Sequence, residues 1–240
     1  MKVKEKLMLD RAGLCQHGPV NIVILGDSVS HGAICGYMDY ESVYYNRLRK
    51  MLNAWRDYVP VNMINAAIGG TSAADALLRL DSQVFCHAPD LIIVCFGLND
   101  VNGSLDTYLN SLRAIFRRSA ERGFDVIFMT PNMLNTYPSD EAPPQYREYA
   151  VKTADMQNSG RMDEYMAAAV ALATEEGVPV CDCYAKWKEL SKTQDVTALL
   201  ANRINHPLPE MHHLFADALY AMIMGEEQNA QADESTMFRA

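Results

Sequence analysis

Apolar runs alternate along the chain with segments whose apolar positions recur at helical spacing. Residues 20–25 (Val-Asn-Ile-Val-Ile-Leu) predict a buried strand ending at Gly26. Tyr44, Leu48, Met51, Leu52 and Trp55 then share one helical face. A weaker strand is expected over 61–66, followed by a helix carrying Leu77, Leu80 and Val84. Residues 91–96 (Leu-Ile-Ile-Val-Cys-Phe) are apolar on both faces, as a central parallel strand should be. Ser104 is placed to cap the next helix, whose stripe is Leu105, Tyr108, Leu109, Leu112, Ile115 and Phe116. Strands over 125–130 and 178–183, a helix over 162–176 and a terminal helix from Met211 to Met222 complete the pattern.

Five strand-helix alternations imply an α/β fold: a five-stranded parallel sheet between helical layers. One domain over 1–240 is expected, with its core at about 20–224. Residues 131–160 are long, polar and hold Pro138, Pro143 and Pro144, and read as an insertion or lid. The polar, acidic residues 225–240 read as a fraying tail.

Composition narrows the partners. With 49% hydrophobic residues the chain can bury a large core, and 21 Lys+Arg against 30 Asp+Glu give a net charge of −9. That sign disfavours nucleic acid and polyanionic substrates. No apolar run approaches a membrane span, and the apolar stretch after Lys6 ends at Asp10, too soon for an export signal. A cytoplasmic protein with no membrane partner is expected. Cys15, Cys35, Cys86, Cys95, Cys181 and Cys183 form no C-x-x-C pair and read as reduced thiols, mostly packed as small hydrophobes.

Ligands of open parallel sheets bind beyond the carboxyl ends of the strands. The first strand ends in Gly26-Asp27-Ser28-Val29-Ser30-His31-Gly32, the second leads to Gly69-Gly70-Thr71, and the third to Gly97-Leu98-Asn99-Asp100. A hydroxyl, a glycine N–H and an amide on one rim are what acyl transfer needs: a nucleophile and donors for an oxyanion. Asn205-His206-Pro207, before the terminal helix, returns an imidazole to the same rim.

These blocks, in this order over about residues 20 to 220, resemble the SGNH, or GDSL-type, hydrolases. The resemblance implies a flavodoxin-like three-layer α/β/α sandwich and ester hydrolysis without metal or cofactor. By position it makes Ser28 the nucleophile and His206 the general base. The Ser28 N–H, the Gly70 N–H and the Asn99 side chain would form the oxyanion hole, with Gly69 the alternative if the turn registers one residue earlier.

Two positions depart from the family pattern. Arg203 stands where an Asp three residues before the histidine usually orients the imidazole, and neither Asn202 nor Asn205 supplies a charge. Either a main-chain carbonyl or water holds the ring, leaving a Ser-His dyad, or a carboxylate from elsewhere does, Asp182 foremost, or the enzyme is weak. The dyad is preferred. Ala67 replaces a frequent glycine, with little expected effect.

The remaining polar residues read as structural. Asp27 would hydrogen-bond its loop and Asp100 anchor the third block, with Ser30 and His31 as scaffold and His31 alternatively touching substrate. His206, His212 and His213 lack the spacing of a metal site. Tyr137, Tyr146 and Tyr149 either line an acyl or sugar pocket or face solvent. Ser30 at the fifth position excludes the G-x-S-x-G elbow, and no phosphate-binding glycine loop follows the first strand. The expected activity is a serine esterase removing a short acyl group, acetyl foremost, from a small alcohol or carbohydrate. The alternatives are a lipase or thioesterase for longer chains and a non-catalytic binding module.

Overall fold

The computed structural model describes residues 2–225. Its sheet contains β1 (Val20–Gly26), β2 (Val61–Asn65), β3 (Leu91–Cys95), β4 (Asp125–Met129) and β5 (Val180–Cys181). All pairings are parallel, in the order β2-β1-β3-β4-β5. This is the flavodoxin-like order, with its topological switch between β1 and β3.

Helices Tyr44–Trp55 and His213–Met224 pack together on one face; Ala73–Leu78, Leu105–Glu121 and Arg161–Glu175 pack in succession on the other. Right-handed crossovers require this division, because the chain reverses direction across the sheet after β2. Every residue of β3 is buried, so the strand can pack helices on both faces, the reason its sequence is apolar without alternation. Gly26 faces Cys95 in the register. A Cβ there would stand 2.5 Å from the Ser30 Oγ and 2.9 Å from the Cys95 carbonyl, so only glycine lets the chain turn this tightly off the sheet.

Several elements differ from the sequence pattern. The fifth strand is two residues long because Asp182 caps the helix Cys183–Leu190, its Oδ1 accepting from Ala185 N at 3.0 Å. The Leu77–Val84 face is split between Ala73–Leu78 and Leu80–Gln83. Ser104 precedes its helix without a side-chain cap bond. Helices Lys2–Leu7 and Arg11–His17 carry no counterpart in the pattern; Val3 and Leu7 of the first are fully buried.

The 131–160 segment is a composite. Asn132, Met133, Leu134 and Asn135 are buried, and helix Arg147–Asn158 packs on Arg161–Glu175. The stretch around Pro143–Tyr149 reaches the surface beside the carboxyl ends of the strands. Three of the six free cysteines (Cys15, Cys35 and Cys86) are exposed, which corrects the picture of thiols mostly packed inside. The fraying expected for 225–240 falls, beyond Gly225, outside the described residues.

Candidate active site

Ser28 opens a single helical turn, Ser28–His31, directly off β1. Asp27 caps that turn, its Oδ1 accepting from Val29 N at 3.0 Å, which leaves the Ser28 N–H without an acceptor among the described residues. Ser28 is 8% exposed and stands at the floor of a cleft of about 570 Å³. The cleft is walled by Ile34, Asn99, Tyr146, Ile204 and His206, among others. Tyr149 also lines it, whereas Tyr137 is turned away and donates to Asp195 at 2.6 Å.

His206, 178 positions along the chain, places Nε2 2.9 Å from the Ser28 Oγ. Its Nδ1 lies 2.8 Å from the carbonyl oxygen of Ile34. A carbonyl can only accept, so the ring proton sits on Nδ1 and Nε2 presents a lone pair to the hydroxyl. Burial lowers the His206 pKa from its usual value, and the Ile34 carbonyl opposes part of that fall.

Asn202 shapes the loop that delivers His206. Its Oδ1 accepts from the backbone N–H groups of Ile204, Asn205 and His206 at 3.0, 2.9 and 2.9 Å. Its Nδ2 donates to Asn205 Oδ1, and Asn132 Nδ2 donates to the Asn205 carbonyl at 2.9 Å. This wrapping forces Arg203 to φ 58, in the left-handed region. From there Arg203 runs outward to Glu141, 2.7 Å away, and to the carbonyls of Ala198 and Leu200. A side chain at position 203 therefore points away from the imidazole. Asp182 does not orient His206 either; besides its cap it accepts from Thr130 Oγ1 at 2.9 Å. The ring is held by a main-chain carbonyl, and the carboxylate alternative is corrected.

Ser28, Gly70 and Asn99, from three strand ends, line the same cleft. Asn99 Nδ2 donates to the Thr71 carbonyl at 3.0 Å, which fixes the amide plane and leaves its other N–H for the cleft. Gly70, at φ 77, has no acceptor for its N–H among the described residues, whereas the Gly69 N–H donates to His31 Nδ1 at 3.1 Å. The free donor in this turn is thus that of Gly70. Asp100 braces the arrangement, its Oδ1 accepting from Ala73 N at 2.9 Å.

Beneath the site lie polar groups far from water. Burial raises the Asp27 carboxyl to about 7 and the Asp100 carboxyl to about 6, and one oxygen of each has no hydrogen-bond partner. His212 is wholly buried and stacks on Tyr44, with its pKa pushed down to about 4 by burial, while His213 points elsewhere, to the Glu210 carbonyl. Among the described residues no group of three His, Cys, Asp or Glu is placed to hold a metal ion, and no helix is long and apolar enough to cross a membrane.

The sequence pattern left open which main-chain carbonyl holds the ring and missed the structural roles of Asn202 and Asn132. A backbone acceptor leaves no side-chain signature, but Asn202 three residues before Asn205 is a turn signal that carries part of the information.

The model of the GDSL-like lipase/acylhydrolase family matches residues 24–214. An uncharacterized lipoprotein, YqeF of Bacillus subtilis (strain 168), is 27% identical over 134 residues, 52% of this chain and 53% of that protein, so the chain spans about half the length of this curated relative. Axe2, an acetylxylan esterase from Geobacillus stearothermophilus, superposes with a TM-score of 0.67 at 22% identity, over 86% of this chain and 94% of its own. LAE5, an alpha/beta hydrolase enzyme from the metagenome of Lake Arreo, Spain, gives 0.66 at 22% identity, over 84% and 94%. These structural likenesses establish a shared fold.

Proposed function

We propose, from the premise that the chain belongs to the GDSL-like lipase/acylhydrolase family, that it is a carboxylic ester hydrolase working through a Ser28–His206 dyad. The observation that carries this reading is the 2.9 Å contact between Ser28 Oγ and His206 Nε2 at the floor of an open cleft.

In the proposed reaction His206 Nε2 takes the Ser28 proton as Oγ bonds to the ester carbonyl carbon. The carbonyl oxygen becomes an oxyanion facing the Ser28 and Gly70 N–H groups and the Asn99 amide. The imidazolium then gives its proton to the alcohol oxygen, the carbon–oxygen bond breaks, and the alcohol leaves. Water, deprotonated by the same nitrogen, attacks the acyl-Ser28 carbonyl carbon; the carbon–Oγ bond breaks, the imidazolium returns the proton to Oγ, and the acid leaves.

The Ile34 carbonyl would hold the tautomer that a carboxylate holds in a triad. In serine proteases, replacing that carboxylate by an amide costs about 10⁴ in turnover because the wrong tautomer results. A carbonyl acceptor avoids that loss and forgoes only the full negative charge opposite the imidazolium.

For the substrate we infer a short acyl group, acetyl foremost, on a small alcohol or carbohydrate. The acetylxylan esterase activity named for Axe2 supports acetyl, as does a cleft mixing Asn99, Gln145, Asn202 and Asn205 with its apolar wall. Ile34, Pro143, Tyr146 and Ile204 favour a second reading, hydrolysis of longer acyl chains. A p-nitrophenyl ester series tests both: rates should be highest for acetate and vanish in Ser28→Ala. A maximum near eight carbons would select the second reading, and equal rates with and without Ser28 would exclude both.

A further inference from the structure

His31 ends the helical turn that Ser28 begins, and its ring reaches across to the β2 turn. At the 3.1 Å contact with Gly69, a backbone N–H can only donate, so the imidazole Nδ1 accepts and the ring proton belongs on Nε2. A Cβ on Gly69 would stand 3.6 Å from both His31 Nδ1 and Ser28 Cβ, so ring, turn and nucleophile meet at one point. The His31 backbone is itself held, its N–H donating to the Asp27 carbonyl at 2.8 Å.

Among the described residues the Gly69 N–H has no other acceptor. Gly69 and Gly70 are both exposed, and the bonds that hold the turn lie on its flanks: Ile68 N to the Gly26 carbonyl at 3.1 Å, Thr71 N and Oγ1 to the Ile68 carbonyl at 3.3 and 2.7 Å, and Asn99 Nδ2 to the Thr71 carbonyl at 3.0 Å. Two consecutive glycines can rotate the peptide between them at small steric cost. A donor swung out of line stabilises an oxyanion weakly, because hydrogen bonds decay steeply with angle.

We propose that His31 is a positioning residue for the oxyanion hole: by accepting the Gly69 N–H it locks the turn so that the Gly70 N–H faces the developing oxyanion. This rests on the ester-hydrolase reading above. His31 acts through Gly69 and does not touch the substrate, so its contribution belongs to the transition state, in kcat rather than KM.

Three variants test it with p-nitrophenyl acetate, alongside amide exchange at Gly69 by NMR. His31→Ala removes the acceptor, His31→Leu removes it while keeping bulk, and His31→Asn places an amide oxygen near the position of Nδ1. Both acceptor-free variants should lose about five- to twentyfold in kcat with KM little changed, and His31→Asn should recover most of it. Gly69 exchange should be slow in the wild type and His31→Asn and fast in the other two. The proposal is overturned if kcat is unchanged, if Asn fails to restore it, if the loss appears in KM, or if Gly69 exchange does not respond. A wild type that hydrolyses no ester, while Gly69 exchange still follows the acceptor, would sink the hydrolase reading and the role in catalysis but leave the positioning contact standing.

Discussion

Asp27→Asn isolates the cost of keeping a carboxylate beside Ser28. The side chain is fully buried, one oxygen caps Val29 N, and the other has no partner. Burial raises its pKa from 3.8 to about 7. A raised carboxylate pKa means the folded state holds a proton that the unfolded chain has already released, so this contribution is complete below pH 3.8 and is lost as pH rises through about 7. From pH 5 to pH 9 the loss spans roughly two pH units of differential proton binding, or ~3 kcal/mol. The asparagine keeps an oxygen on Val29 N and cannot ionise. Any fixed cost of its amide group cancels when the difference between variant and wild type is itself compared at the two pH values. Urea unfolding at pH 5 and pH 9 should show the variant gaining about 3 kcal/mol on the wild type at the higher pH, with ester hydrolysis retained. Parallel pH dependences would mean that Asp27 is ionised and solvated in the native protein, refuting the reasoning.

Three further outcomes follow from the site. Because burial lowers the His206 pKa, activity should be full at neutral pH and fall only as pH drops through a midpoint below 6.5; a pH–rate profile of kcat/KM with its midpoint above 7 would contradict this. Asn99→Ala removes one oxyanion donor and should cost about 10²–10³ in kcat with little change in KM, whereas a loss under threefold would remove Asn99 from the hole. Arg203→Asp restores the residue type usual at that position, yet should not raise kcat, because the left-handed backbone aims the side chain toward Glu141; it should lower stability by up to about 1 kcal/mol through loss of that pair. A tenfold rise in kcat would show that an aspartate there reaches the imidazole.

The central sheet was legible because β3, and β1 apart from Asn21, are buried on both faces and therefore apolar, and because glycine and polar residues cluster where those strands end. The strand ends then brought Ser28, Gly70 and Asn99 to one rim. Helix Arg147–Asn158 was not legible: of its buried residues Ala150, Thr153, Ala154, Met156 and Gln157, Met156 alone is large and apolar, so they register weakly as a hydrophobic face, behind two prolines. The short β5 was overextended because Val178 and Cys183 are apolar, although Asp182 between the two cysteines is a helix cap. What holds His206 was open for a different reason. Its partner is the Ile34 carbonyl, and a main-chain oxygen is present at every residue, so only the fold says which one faces the ring.

The most direct measurement is intact-mass and peptide mapping after reaction with a fluorophosphonate. One adduct per chain should form, at Ser28, be absent in Ser28→Ala, and form at least about a hundredfold more slowly in His206→Ala, where no base takes the serine proton. No adduct, or one that persists in Ser28→Ala, would show that Ser28 and His206 do not act as a nucleophile and its base.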